Sequence, residues 1–135
     1  MATTMPVDFR AYPNIISLME GSGRFPRRQR LSLKKDFDRV FAEGRSAADE
    51  NLVLYLLATE KGYPRLGLAV GKGIGNAVLR NKVKRHIREA FRLNHDRLPE
   101  SADIVVIARK GAGENPRGIT ESFVNLAGRL TRENK

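Results

Sequence analysis

The chain has 135 residues, 41% of them hydrophobic, which is enough for one ordinary core and too apolar for wholesale disorder. Lys plus Arg number 25 against 15 Asp plus Glu, a formal charge of +10 that calls for a polyanionic partner, either nucleic acid or an anionic membrane surface. The absence of Cys excludes disulfides, thiol nucleophiles and Cys-based zinc sites, and no apolar run nears the roughly 18 residues of a membrane helix.

Residues 1–23 mix Pro, Gly and Thr with a short apolar patch. They read as a flexible extension, with a short helical turn at 14–20, ahead of a single domain at 24–135. Ser32 is placed to cap a first helix. Phe37, Val40 and Phe41 recur on it at helical spacing, Asp36 and Asp38 read as charges on its outer face, and Gly44 closes it. Leu52–Leu57 has β character, with Val53, Tyr55 and Leu57 on one side. After the turn formers Lys61, Gly62 and Pro64 comes a second strand, 65–71. Its Leu66, Leu68 and Val70 face one way, while Gly67 and Ala69 leave the other face thin. A glycine-rich turn, 71–75, opens the longest helical pattern, about 75–93. The almost wholly apolar run 103–108 reads as a strand covered on both faces. Asn115 and Pro116 start a last helix striped with Ile119, Phe123, Leu126, Ala127 and Leu130. Helix, strands, helix, strand, helix is the order of an α+β sandwich around a small mixed sheet.

The charge is concentrated. Residues 24–35 hold six basic side chains and no acid, and residues 72–97 hold eight with two acids, which leaves the remainder close to neutral. Projected at 100° per residue, Leu79, Val83, Ile87, Ala90 and Phe91 form a core-facing stripe on the long helix. Asn81, Lys84, Arg85, Arg88 and Arg92 fall on an adjoining arc of about 100°. One helical turn of about 5.4 Å is close to the spacing of phosphates along a strand, so the row suits a nucleic-acid backbone. Glu89 interrupts it, placed to hold Arg85 or Arg92.

Other chemistries fit poorly. A dinucleotide fingerprint read from Gly71 ends on Asn76, and read from Gly73 it ends on Val78. A P-loop would need glycine where Leu66 stands and Ser or Thr where Gly73 stands. His86 and His95 have no carboxylate cluster beside them. Asp36, Asp38, Asp49, Glu50 and Asp103 suggest neither a metal site nor an acid–base pair. No catalytic residue is expected on the protein. Phe37 and Phe41 suit core packing and base stacking equally, and Tyr55, with its polar tip, is the better candidate for a half-exposed stacking position.

The run Gly75-Asn-Ala-Val78, Arg80-Asn81, Lys84-Arg85, Arg88-Glu89 and Phe91-Arg92 resembles the basic helix of the bacterial ribonuclease P protein subunit. Arg30-Leu31, Asp36-Phe37, Val40-Phe41, Gly44, Val53-Leu54-Tyr55, Leu66-Gly67-Leu68 and 104–109 resemble further segments of that family in the same order. The likeness covers about residues 25–131 and departs at Gly71 and Gly73, where the family often has Ser and a basic residue. It implies a fold like domain 2 of ribosomal protein S5, ordered α-β-β-(β)-α-β-α, with a left-handed βαβ crossover. It also implies the protein part of a cytoplasmic ribonucleoprotein endonuclease that removes the 5′ leader of precursor tRNA, with the chemistry carried by the RNA subunit and its Mg2+. By position, Lys72, Arg80, Asn81, Lys84, Arg85, Arg88 and Arg92 would face the RNA subunit, and Phe37, Phe41 and Tyr55 the leader. The expected partners are the catalytic RNA and precursor tRNA, with no membrane and no small-molecule cofactor. The alternative is a general RNA-binding or ribosome-associated protein with no part in cleavage.

Overall fold

The computed structural model describes residues 31, 34–94, 98–99 and 101–133, the last two as backbone. The extension, the cap at Ser32 and His95 lie outside the described residues. Helix α1 (Lys34–Glu43) leads into strands β1 (Arg45–Ala48), β2 (Leu52–Ala58) and β3 (Arg65–Ala69). A 3-10 turn (Lys72–Ile74) then precedes α2 (Ala77–Leu93) and β4 (Ala102–Ala108). Short α3 (Lys110–Glu114) and a second 3-10 turn (Pro116–Gly118) lead to α4 (Ile119–Glu133). Two of these elements go beyond the sequence reading. Strand β1 is a short edge strand of Arg, Ser and Ala, which carry little β propensity. Helix α3 contains two glycines in five residues.

The sheet runs β1-β2-β4-β3, antiparallel except for the parallel β3–β4 pair. Period-two alternation sends its side chains into two cores. Leu52, Leu54, Leu56, Leu66, Leu68, Ile104 and Val106 pack with Val83, Ile87 and Phe91 of α2 and with Ile119, Phe123 and Leu126 of α4. On the opposite face, Val53, Tyr55, Ala69, Val105 and Ile107 pack with Phe37 and Val40 of α1. Strand β4 is therefore buried along its whole length, its apolar run 104–108 covered on both faces and its one charge, Asp103, buried against Arg65.

The thin face of β3 has a specific use. A Cβ on Gly67 would collide with the Phe37 ring, so the missing side chain is the notch that seats α1. Gly67→Ala is expected to cost about 1–3 kcal/mol through overpacking, read as a lower urea midpoint with an unchanged slope.

The crossover from β3 through α2 to β4 follows from the backbone. Viewed from α2 with β3 running upward, an L-residue pointing at the viewer directs its N–H and C=O to the right. Leu66 packs on that side, and its carbonyl accepts from the Leu31 N–H at 3.0 Å, outside the sheet. Strand β4 therefore lies to the left, and the crossover is left-handed, against the usual preference. The joining turn includes Gly75 at φ 151°, a conformation that favours glycine.

Asp36 corrects the sequence reading. It is not an outer-face charge but is buried against Arg65, whereas Asp38 stays exposed and pairs with Lys34 at 2.9 Å.

Candidate RNA interface

Helix α2 starts at Asn76, whose side-chain oxygen accepts from the Leu79 N–H at 2.9 Å, and its apolar stripe buries Val83, Ile87, Ala90 and Phe91. With one face anchored in the core, the neighbouring face is held toward solvent. Asn81, Arg85 and Arg92 are exposed there, with Arg80, Lys84 and Arg88 half-buried along the flank. Lys72 is exposed on the turn before the helix. The structure thus gathers all seven residues expected to face RNA onto one helix and the turn that leads into it.

Like charges four residues apart disfavour one another on a helix. The Lys84 ammonium is held below the ordinary lysine range, first by burial and then by the Arg88 and Arg80 charges. Glu89 relieves this at one end only, forming an ion pair with Arg92 rather than with Arg85. That pair lowers the Glu89 pKa, chiefly through the Arg92 hydrogen bond. The buried Nε of Arg80 has no hydrogen-bond acceptor in the structure, so a donor stands ready beside this cationic row. An anionic strand would relieve the repulsion and supply the acceptor.

Lys82, exposed on the same helix, belongs with the cations although sequence reasoning passed over it. Its charge was the available signal, but its angular position outside the arc left it aside. It is also felt by half-buried His86, whose pKa is lowered first by burial and then by Lys82, Arg85 and Arg117, against Glu89. The unfolded chain therefore takes up this proton first, and stability drops as pH falls through about 6.5. His86→Gln should lessen that acid-side drop, seen by comparing urea midpoints at about pH 7.5 and about pH 5.5.

The aromatic set divides. Phe37 is fully buried in the Gly67 notch and Tyr55 is 2% exposed, so neither ring offers a face to a nucleotide in this structure. Tyr55 is covered because β2 lies inside the sheet, between β1 and β4, beneath α1. Burial raises its phenol pKa. Phe41 keeps exposed surface and meets Tyr55 edge to face, ring centroids 5.0 Å apart and planes at 86°. Of the three residues expected to meet the leader, Phe41 is the one that keeps exposed surface, with Tyr55 behind it.

A mixed sandwich with a row of cations along one helix defines a polyanion-binding α+β protein. A family model for ribonuclease P matches residues 25–131. The ribonuclease P protein component of Thermotoga maritima is 44% identical over 111 residues, spanning 78% of this chain and 95% of that one. That of Streptococcus pneumoniae (strain Hungary19A-6) is 46% identical over 82 residues, spanning 61% and 67%. The solved RNase P protein of Thermotoga maritima superposes with a TM-score of 0.67 at 39% identity, covering 75% of this chain and 96% of that one. The Staphylococcus aureus protein gives 0.66 at 39% identity, covering 73% and 91%. The chain belongs to the ribonuclease P family, as the protein component of that tRNA-processing endoribonuclease, and its partner is the RNA subunit.

Proposed function

We propose that the cationic face of α2, with Lys72, grips the catalytic RNA subunit, while Phe41, backed by Tyr55, receives the single-stranded 5′ leader of precursor tRNA. The observation that carries this reading is the row Arg80, Lys84, Arg85 and Arg88 along α2, on which the only acid, Glu89, pairs with Arg92. Neutralising phosphates with such a row supplies salt-dependent binding energy and screens the repulsion between two RNAs. Gripping the leader then holds the scissile bond in place, so the protein contributes positioning rather than chemistry.

Among the described residues no three His, Cys, Asp or Glu side chains come together. We place the magnesium ions with RNA phosphates, where they would supply phosphodiester hydrolysis. No helix of the described residues is long and apolar enough to cross a membrane. We place the reaction in the cytoplasm, with precursor tRNA as the substrate.

Cleavage of a precursor tRNA by the cognate RNA subunit at low magnesium, with and without this protein, tests the reading. Stimulation with release of a 5′ leader and mature tRNA is expected. Tight RNA binding without stimulation would overturn it in favour of a general RNA binder. Stacking on one base is worth about 1–3 kcal/mol, so Phe41→Ala should lower the holoenzyme's preference for leader-bearing over mature tRNA by roughly tenfold. Affinity for the RNA subunit, measured in parallel, should stay as in the wild type.

A further inference from the structure

Helix α1 is ten residues long, and the side chains it buries are Asp36, Phe37 and Val40. One of its three anchors is therefore a charge. Asp36 lies 3.5 Å from Nη1 of Arg65, and the same guanidinium donates to both oxygens of Asp103, at 2.7 and 2.6 Å. Arg65 and Asp103 are register partners on β3 and β4, with Asp103 1% exposed. The two parallel hydrogen bonds fix the guanidinium plane, which turns Arg65 into a rigid peg with one edge presented to α1.

The peg sits beside the notch. Arg65 and Gly67 are two apart on β3 and share a sheet face, and adjacent Asp36 and Phe37 meet them as a pair. An apolar ring can slide along an apolar groove at modest cost. A buried carboxylate paired with Arg65 cannot leave it without standing unpaired in a poorly solvated place. One turn beyond Phe37 on the same helix, Phe41 meets Tyr55. The place of α1 on the sheet thus decides where the Phe41 ring stands.

We infer that Asp36, acting through Arg65, is a positioning residue for leader recognition: the Asp36–Arg65–Asp103 network sets the register of α1 and so presents Phe41 to the single-stranded 5′ leader. This rests on the reading of Phe41 as a leader contact. The network lies on the face of the sheet opposite α2, so it acts on leader discrimination and leaves the grip on the RNA subunit alone.

The test uses the holoenzyme assembled with the cognate RNA subunit. It measures affinity for precursor tRNA with and without its leader, affinity for the RNA subunit and thermal stability. Asp36→Asn should lower leader preference by about five- to tenfold with RNA-subunit affinity unchanged, and Asp36→Glu, which keeps the charge, should restore most of it. Leu126→Ala, in the core on the α2 and α4 side, supplies a destabilised control that should keep wild-type leader preference. An equal loss in Leu126→Ala would reduce the effect to stability and overturn the inference. So would wild-type preference in Asp36→Asn while Phe41→Ala loses it. Wild-type preference in Phe41→Ala would instead sink the leader-contact reading, and the inference with it.

Discussion

Replacing Arg85 and Arg88 with alanine lowers affinity for the RNA subunit by roughly 25- to 60-fold at about 0.1 M salt. Each cation that neutralises a phosphate steepens the dependence of log K on log salt by about 0.7–0.9, so losing two flattens the slope by about 1.4–1.8 units. The electrostatic contribution is largely screened near 1 M, and a slope change of that size accumulates over one decade of dilution to the stated loss. Substitution at Glu89 works in the opposite direction. Its carboxylate occupies Arg92, so Glu89→Gln frees that guanidinium for phosphate and steepens the slope. A salt titration of RNA-subunit binding across the three proteins checks both signs. An unchanged slope in the double alanine variant would remove these residues from the interface.

The cationic face could be read in advance because one helix carries it. Periodicity alone orients Val83, Ile87 and Phe91 inward and Arg85 outward, and the structure keeps that arrangement. The same holds for 103–108, whose almost wholly apolar run reads as a strand covered on both faces, and the structure buries β4 throughout. What escaped the sequence depends on partners far along the chain. Phe37 is buried because residue 67 lacks a side chain, and Asp36 is buried because Arg65 and Asp103 form a charged site beneath it. Neither distance is encoded in a local pattern. Tyr55 was expected to be half-exposed for its polar tip, but its place on an inner strand under α1 decided otherwise. Handedness is still less local. It needs the pairing order of β3 and β4, the side on which α2 packs, and one hydrogen bond from Leu31. The family resemblance supplied that feature where residue patterns could not.

Arg65→Met should be the most destabilising single change on the α1 side of the sheet. It leaves Asp103 and Asp36 without their shared cation, at 1% and 7% exposure, and breaking a buried pair from one side costs roughly 3–5 kcal/mol. For a domain of this size that is a fall in melting temperature on the order of 10–20 °C. The loss measures the stranded carboxylates more than the worth of the bridge, because desolvation already offsets much of the attraction between buried charges. Removing both members should therefore hurt less than the sum of the single changes. Arg65→Met with Asp103→Leu is expected to recover about half of what Arg65→Met loses, about 2 kcal/mol, so the coupling in a double-mutant cycle followed by urea unfolding exceeds that figure by the cost of Asp103→Leu alone. Additive losses would show that the two side chains act independently, despite hydrogen bonds of 2.6 and 2.7 Å between them. Asp36 remains in the double variant without its cation, so the recovered protein should fold yet still recognise the leader poorly. That separation of stability from recognition would show that the network's use in this protein lies in where it holds α1.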